Sequence, residues 1–284
     1  MLKVGIIGGA GYTAGELIRL LLNHPEAELS FVQSESSAGK YLWEVHEGLF
    51  GETELRFCDR WPVVMGDSSP QDVESAGIDV LFLCGSHGAS REFWASHPRP
   101  AGLKVIDLAQ DYRDESDGYI YGLPELKRDA IRSAVSVANP GCFATAIQLA
   151  LLPLAAAGLL TGEVNVTAIT GSTGAGVKPG PTTHFSWRSG NLSTYTIFEH
   201  QHLAEICRNL AVPSVNFIPI RGDFARGIFA AVHTDCALSG DEARKLYSAY
   251  YADAPFTFVA PGSVDLKQVT GTNKCLLQLE KHGG

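Results

Sequence analysis

The chain lacks any apolar run long enough to cross a membrane as a helix. Its first residues, Met1-Leu2-Lys3-Val4-Gly5-Ile6-Ile7, enter a strand pattern directly, without the basic start and apolar stretch of a signal peptide. It also lacks basic excess. The 22 Lys and Arg stand against 31 Asp and Glu, a net charge of −9, which argues against nucleic acid or an anionic membrane as the main partner. Paired cysteines are missing too. The six thiols at Cys58, Cys84, Cys142, Cys207, Cys236 and Cys275 form no CxxC and no metal-finger spacing, and they read as reduced thiols of a cytoplasmic protein. No internal repeat or low-complexity segment is visible. What remains is 284 residues, 45% hydrophobic and 19% charged, enough for one large or two ordinary domains with substantial cores.

The stretch Val137-Ala138-Asn139-Pro140-Gly141-Cys142-Phe143-Ala144-Thr145 organises the chain. Asn-Pro-Gly is a turn signal, because Pro140 fixes φ and Gly141 accepts unusual backbone angles. Thr145 to Leu152 is a strong helix former. Cys142 therefore stands at a helix N-terminus, where unsatisfied N–H groups and the dipole favour a nucleophilic thiolate. A buried cysteine acting as a small apolar residue is the competing reading.

Along the chain, Lys3 to Ile7 is a strand, Gly8-Gly9-Ala10-Gly11-Tyr12-Thr13-Ala14-Gly15 a glycine-rich turn, and Glu16 to Leu22 a helix. Strand, glycine turn and helix make the first unit of a dinucleotide fold, with pyrophosphate resting on the helix N-terminus. The spacing is G-x-x-G from Gly8 to Gly11, so Gly8, Gly11, Tyr12 and Thr13 are candidate cofactor residues. A second strand, Glu28 to Gln33, leads to Ser34-Glu35-Ser36-Ser37-Ala38-Gly39-Lys40. There Glu35 suits the ribose hydroxyl of NAD, whereas Ser36, Ser37 and Lys40 suit the 2′-phosphate of NADP. Ile78 to Cys84 and Leu103 to Leu108 are buried parallel strands, followed by turns carrying His87 and Arg113. The alternation predicts an α/β, doubly wound parallel sheet with ligands beyond the strand C-termini.

In the second half, strand Val164 to Thr170 runs into Gly171-Ser172-Thr173-Gly174-Ala175-Gly176, whose N–H groups suit an anion cradle or the close approach of a ring. Phe198 to Cys207 is expected to be helical, placing His202 and Glu205 three apart on one face, where a carboxylate would raise imidazole basicity. A metal site from His200, His202 and Glu205 is the minor alternative. Arg221 and Arg226 flank a glycine turn and suit capture of carboxylate or phosphate. Strands are expected at Phe229 to Cys236 and Cys275 to Leu279, and a helix from Asp241 to Tyr251.

Six segments in order are Gly8 to Leu17, Asp107-Leu108-Ala109-Gln110-Asp111-Tyr112-Arg113, Tyr121-Gly122-Leu123-Pro124-Glu125, Ala138 to Thr145, Gly171 to Gly176 and His200 to Ile206. Together they make the whole chain resemble the N-acetyl-γ-glutamyl-phosphate reductases, the arginine-biosynthesis branch of the semialdehyde dehydrogenase family. The resemblance implies a Rossmann-type NADP(H) domain over residues 1–141 and an α+β catalytic and oligomerisation domain over 142–284, in a cytoplasmic homodimer or homotetramer. It implies that an acyl phosphate is reduced to an aldehyde, releasing inorganic phosphate. Cys142 is then the nucleophile, His202 the acid/base and Glu205 its supporting carboxylate. Arg113, His87, Arg221 and Arg226 become substrate contacts, and Ser172 and Gly174 join the cofactor residues. Gln201 and Ala204 stand where the family usually has Arg and Pro, Ser86 where it has Pro, and Val177 where Arg is common. The acyl group is open among acetyl, succinyl and a carrier-linked amino acid. Aspartate-semialdehyde dehydrogenase and a dinucleotide-binding thiol sensor are the alternative readings. Family members carry a further helix near an Asp-Asn-Leu-Lys-Gly-Ala motif, so the resemblance implies that the natural chain continues past Gly284.

Overall fold

The computed structural model describes residues 1–61, 64–65, 73–74 and 77–283, which divide into two compact units, Met1–Pro140 and Gly141–Gly284. In the first unit the elements run β1 (Leu2–Ile7), α1 (Tyr12–Leu22), β2 (Ala27–Gln33), β3 (Phe57–Cys58), β4 (Val64–Met65), β5 (Val73–Glu74), β6 (Val80–Leu83), α2 (Ala89–Ser96), β7 (Lys104–Asp107), β8 (Ile120–Tyr121), α3 (Pro124–Ser133) and β9 (Ser136–Ala138). Among the described residues seven strands form one sheet in the order β3-β2-β1-β6-β7-β9-β8, every pairing parallel. The chain moves outward from β1 in one direction and returns to start again at β6. The C-terminal ends of β1 and β6 are thus the switch point at which such sheets bind ligands.

Both sheet faces are covered. Val4, Ile6 and Val32 pack with Ala14, Ile18 and Leu21 of α1, while Phe31, Leu81, Leu83 and Val105 pack in a second cluster with Tyr112 and Tyr119. Strands buried on both sides read as apolar runs rather than alternating ones, which is why they were visible in the sequence.

The second unit contains α4 (Cys142–Ala156), β10 (Asn165–Thr170), α5 (Phe185–Arg188), β11 (Ser193–Thr194), α6 (Leu203–Leu210), β12 (Asn216–Arg221), β13 (Ile228–His233), α7 (Gly240–Tyr250), β14 (Thr257–Val259) and β15 (Cys275–Leu277). A mixed sheet runs β11-β12-β10-β13, with β10 parallel to β12 and antiparallel to β13. α4 is the core helix: Phe143, Ala144, Ile147, Leu149, Leu151, Leu152 and Leu154 are all buried. Each large side chain among them contributes on the order of 2 kcal/mol by leaving water. Among the described residues no helix is long and apolar enough to cross a membrane.

One sequence expectation is corrected. Phe198 to His202 is not helical: α6 starts at Leu203 with His202 as its N-cap, and Thr196 and Phe198 take positive φ of 41° and 60°. Main-chain bonds to β12, Tyr195 N to Pro219 O and Phe198 N to Phe217 O, hold this segment open against its helical propensity.

Pro153 lies inside α4 and has no N–H for the carbonyl of Leu149. The Tyr251 hydroxyl donates to that carbonyl at 2.5 Å, and Tyr247 donates to Ala150 O at 2.6 Å. The residues after and within α7 therefore repair the hydrogen-bond ladder of α4. Tyr251→Phe is expected to lower the unfolding free energy by about 1–3 kcal/mol, since a buried carbonyl loses its donor. Urea denaturation measures this, and a loss of only a few tenths would mean that Leu149 O finds another donor.

Candidate active site

In the first unit the glycine turn after β1 is set by close packing at Gly8 and Gly9. Gly8 takes φ +80° and a Cβ there would lie 2.9 Å from Gly85 N, so the turns after β1 and β6 approach too closely for a side chain. Gly8 N donates to Gln33 O at 3.1 Å and Gly9 N to the same oxygen at 2.8 Å. Gly11 is the N-cap of α1, with no side-chain cap and no acidic residue in the first turn, and open space lies where its Cβ would be. The N-terminus of α1, with Tyr12 and Thr13 in its first turn, has first-turn N–H groups for which the helix itself offers no acceptor. That environment fits the pyrophosphate of a dinucleotide. Past β2, Ser36 and Lys40 are exposed whereas Ser37 is buried. Arg56, which sequence reasoning missed, donates to Gly39 O at 2.7 Å beside them.

α2 is built differently. The Asp111 carboxylate accepts from Gly88 N (2.7 Å), Ser90 N (3.0 Å) and Arg91 N (3.1 Å), closing that helix N-terminus. Tyr112 stacks on Tyr119 at 4.0 Å, with the Arg91 guanidinium 4.6 Å above its ring. Arg113 is buried and donates from Nε to Asn139 O at 2.9 Å and from Nη2 to Leu108 O at 3.3 Å. In the triplet, Asp111 thus caps α2, Tyr112 packs on the sheet with Leu81, Leu83 and Val105, and Arg113 holds the segment leading to Pro140. His87 is exposed, its Nδ1 accepting from Gln110 N at 3.3 Å. Asp107 is fully buried. Burial pushes its carboxyl up, against the pull of the Ser90 hydroxyl and the Ala109 amide.

The second unit opens with Cys142, exposed, as the first residue of α4. Gly141, its N-cap, donates its main-chain N–H to Glu205 Oε2 at 3.1 Å. There is no room for a side chain at Gly141: a Cβ would sit against His202 Nε2 and 2.6 Å from Glu205 Oε1. The ends of His202 and Glu205, both buried, therefore converge on the residue preceding the thiol. Gln148 ties α6 to α4, accepting from Asn209 Nδ2 at 2.8 Å.

Around them lies an aromatic and cationic neighbourhood. His200 is buried and meets Phe143, Phe217 and Tyr195 edge-on at 5.4, 5.4 and 5.7 Å. Its own burial first, and then Arg221, push its imidazole down to about 4. The Arg221 guanidinium lies 4.3 Å over the Tyr195 ring, with a buried Nε that finds no hydrogen-bond partner among the described residues. Burial raises the Tyr195 phenol, Arg221 opposes this, and Cys142 adds to the rise. Arg221 and the thiol thus share the surroundings of Tyr195. Arg188, which nothing in the sequence singled out, is buried. Its guanidinium donates to Thr182 O, Asn191 O, Ser193 Oγ and, at 2.6 Å, Arg221 O. Arg226 is exposed on the following turn.

The expectation of an anion cradle at Gly171 to Gly176 is corrected. Gly171, Ser172 and Thr173 donate their N–H groups to Gly227 O, Phe224 O and Ala225 O, and Gly174 and Gly176 donate within the loop. Gly171 is there because a Cβ would lie 2.5 Å from Ala225 O. Gly171 serves the close approach of the Phe224–Gly227 turn, and Gly176 takes a positive φ of 85°. Among the described residues no three His, Cys, Asp or Glu gather as metal ligands.

Residues 3–134 match the family profile described as semialdehyde dehydrogenase, NAD binding domain, and residues 142–284 the one described as semialdehyde dehydrogenase, dimerisation domain. The chain is 55% identical to an N-acetyl-gamma-glutamyl-phosphate reductase of Bacteroides thetaiotaomicron, over 100% of this chain and 87% of that protein. It is 44% identical to one of Flavobacterium johnsoniae over the same shares. Among solved structures, aspartate semialdehyde dehydrogenase II from Vibrio cholerae superposes with a TM-score of 0.71 at 19% identity, covering 98% of this chain and 88% of that one. The enzyme of Candida albicans with NADP gives 0.68 at 16%, covering 94% and 85%. At such identities these structures speak for the fold alone.

The depressed imidazole of His200 carries a pH dependence of stability. Between its ordinary value of 6.5 and about 4, the unfolded chain takes up a proton that the folded chain refuses. The stability from keeping His200 neutral is complete above about 6.5 and is lost as pH falls toward 4. Unfolding free energy measured across that window should fall more steeply for the native protein than for His200→Phe, by up to one proton. Parallel slopes would show that His200 is not held neutral.

Proposed function

Because this chain belongs to the semialdehyde dehydrogenase family, we infer that it is an oxidoreductase of arginine biosynthesis. It reduces N-acetyl-L-glutamyl 5-phosphate to N-acetyl-L-glutamate 5-semialdehyde and phosphate with NADPH. The observation that carries this reading is the convergence of His202 and Glu205 on Gly141, directly before an exposed cysteine that begins a buried helix. The near relatives bearing that enzyme name extend it to the whole chain.

The Cys142 thiolate attacks the acyl carbon, the bond to the phosphate oxygen breaks, and phosphate leaves a thioester on the sulfur. NADPH, when bound, supplies the hydride that converts the thioester carbon to the aldehyde level. His202 takes the thiol proton at the start and protonates the hemithioacetal oxygen as it forms. It takes that proton back as the carbon–sulfur bond breaks, releasing the aldehyde and the thiolate. The first-turn N–H groups of α4 lie where the carbonyl oxygen gathers charge. Glu205 holds the Gly141 amide and so the start of that turn. Arg221, with its unspent buried Nε, receives a substrate anion, and Arg226 is exposed for a second one. The α1 N-terminus with Gly8, Gly11, Tyr12 and Thr13 holds the pyrophosphate, and Ser36 and Lys40 hold the 2′-phosphate.

Six cysteines held as thiols fit a cytoplasmic enzyme. The second unit assembles with another copy through the sheet face opposite Val166 and Phe217. That face carries Ile169, Ile218, Ile220 and the 43%-exposed Phe229 in register.

Cys142→Ala is expected to reduce activity below about a thousandth of the native rate while NADPH affinity stays within a few-fold. More residual activity would remove covalent catalysis at this residue. His202→Asn should depress the rate by roughly 10²–10⁴-fold. Assays with acetylated and succinylated substrates identify the acyl group. Sedimentation of Phe229→Asp against the native protein should show dissociation if the sheet face is the interface.

A further inference from the structure

We infer that His200 is the positioning residue for His202. Its ring nitrogen and its carbonyl together lock the start of α6 so that the His202 imidazole stays on Gly141. The inference rests on reading His202 as the acid/base.

Residue 202 is the N-cap of α6, and nothing helical precedes it. A cap position of this kind has main-chain freedom unless a neighbour removes it. His200 removes it twice. Its Nδ1 accepts the His202 N–H at 3.1 Å in a buried contact, and its carbonyl accepts the Leu203 N–H at 2.9 Å. Because the donor is a main-chain amide, Nδ1 must carry a lone pair, which places the proton of the neutral ring on Nε2. The two imidazoles meet at 4.5 Å with their planes 73° apart, so a tilt of one ring moves the other.

The ring of His200 is itself held by Phe143 at 5.4 Å and Phe217 at 5.4 Å, residues of α4 and β12. The reference for the acid/base is thereby the core of the unit rather than a surface loop. The charged and titratable groups facing His200 are Arg221, Tyr195 and His202. Burial and Arg221 keep the ring neutral, so it remains an acceptor wherever the enzyme would work. A protonated His200 would turn an N–H toward the His202 N–H and break the lock.

The test compares two replacements. His200→Asn keeps an acceptor close to the position of Nδ1, while His200→Phe keeps an aromatic ring and loses the acceptor. For His200→Phe, kcat is expected to fall roughly 10- to 100-fold with both KM values within about threefold. The limb of the pH–rate profile that belongs to His202 should also shift. His200→Asn should restore kcat to within about threefold and return the profile to its native position. His200→Met serves in place of Phe if the larger ring prevents folding. Native kcat and profile in the variant without an acceptor, or equal damage in both variants, would overturn the inference. Imidazole titration of His202 by NMR without substrate separates this from the catalytic reading. A His202 titration shifted in His200→Phe and native in His200→Asn upholds the lock even if the protein reduces no acyl phosphate. Native titration in both overturns it.

Discussion

A single hydrogen bond, from the Gly141 main chain to the buried carboxylate of Glu205, ties the start of α4 to α6 in the second unit. A carboxylate that far from water needs donors, and an N-terminal amide of a helix is a donor with no partner inside the helix. Each end of the contact answers a need of the other. It joins α4 to α6 at the residue before the thiol, and Gln148 with Asn209 joins them again two turns along. α4 is buried around nearly its whole circumference, so it has no freedom to slide, and the exposure of Cys142 follows from where the core ends.

In the first unit the same physics of helix ends gives two different helix starts. α1 and α2 both follow strands of the parallel sheet, and both begin at a glycine. Asp111 fills the N-terminus of α2 with a carboxylate from the same chain, whereas that of α1 carries no side-chain cap. The dipole is satisfied internally in one case and presented outward in the other.

The acidic chain of net charge −9 places its cations selectively. Arg188 is spent on main-chain and hydroxyl oxygens, which fixes the carbonyl of Arg221. Arg221 keeps a buried Nε unspent. A guanidinium held by carbonyl and hydroxyl oxygens keeps its charge, with the Asp223 carboxylate acting on it through space.

Much of this was legible in the residues. Doubly covered parallel strands announce themselves as apolar runs, the glycine turn after β1 as a break between strand and helix, and Cys142 as the residue between an Asn-Pro-Gly turn and a strong helix former. These are local signals, written within a dozen residues by backbone sterics and hydrophobic period. Tertiary structure decided the rest. Phe198 to His202 has helical propensity, yet β12 takes its main-chain bonds. The loop at 171–176 suits an anion, yet the turn at Phe224 takes the amides of Gly171, Ser172 and Thr173, and those of Gly174 and Gly176 turn back into the loop. Arg188, the capping role of Asp111 and the partnership of His200 with His202 carry no sequence mark, because such roles are defined by the donors and acceptors that folding brings together. For Glu205 that donor lies 64 residues away, and no local pattern encodes such a distance.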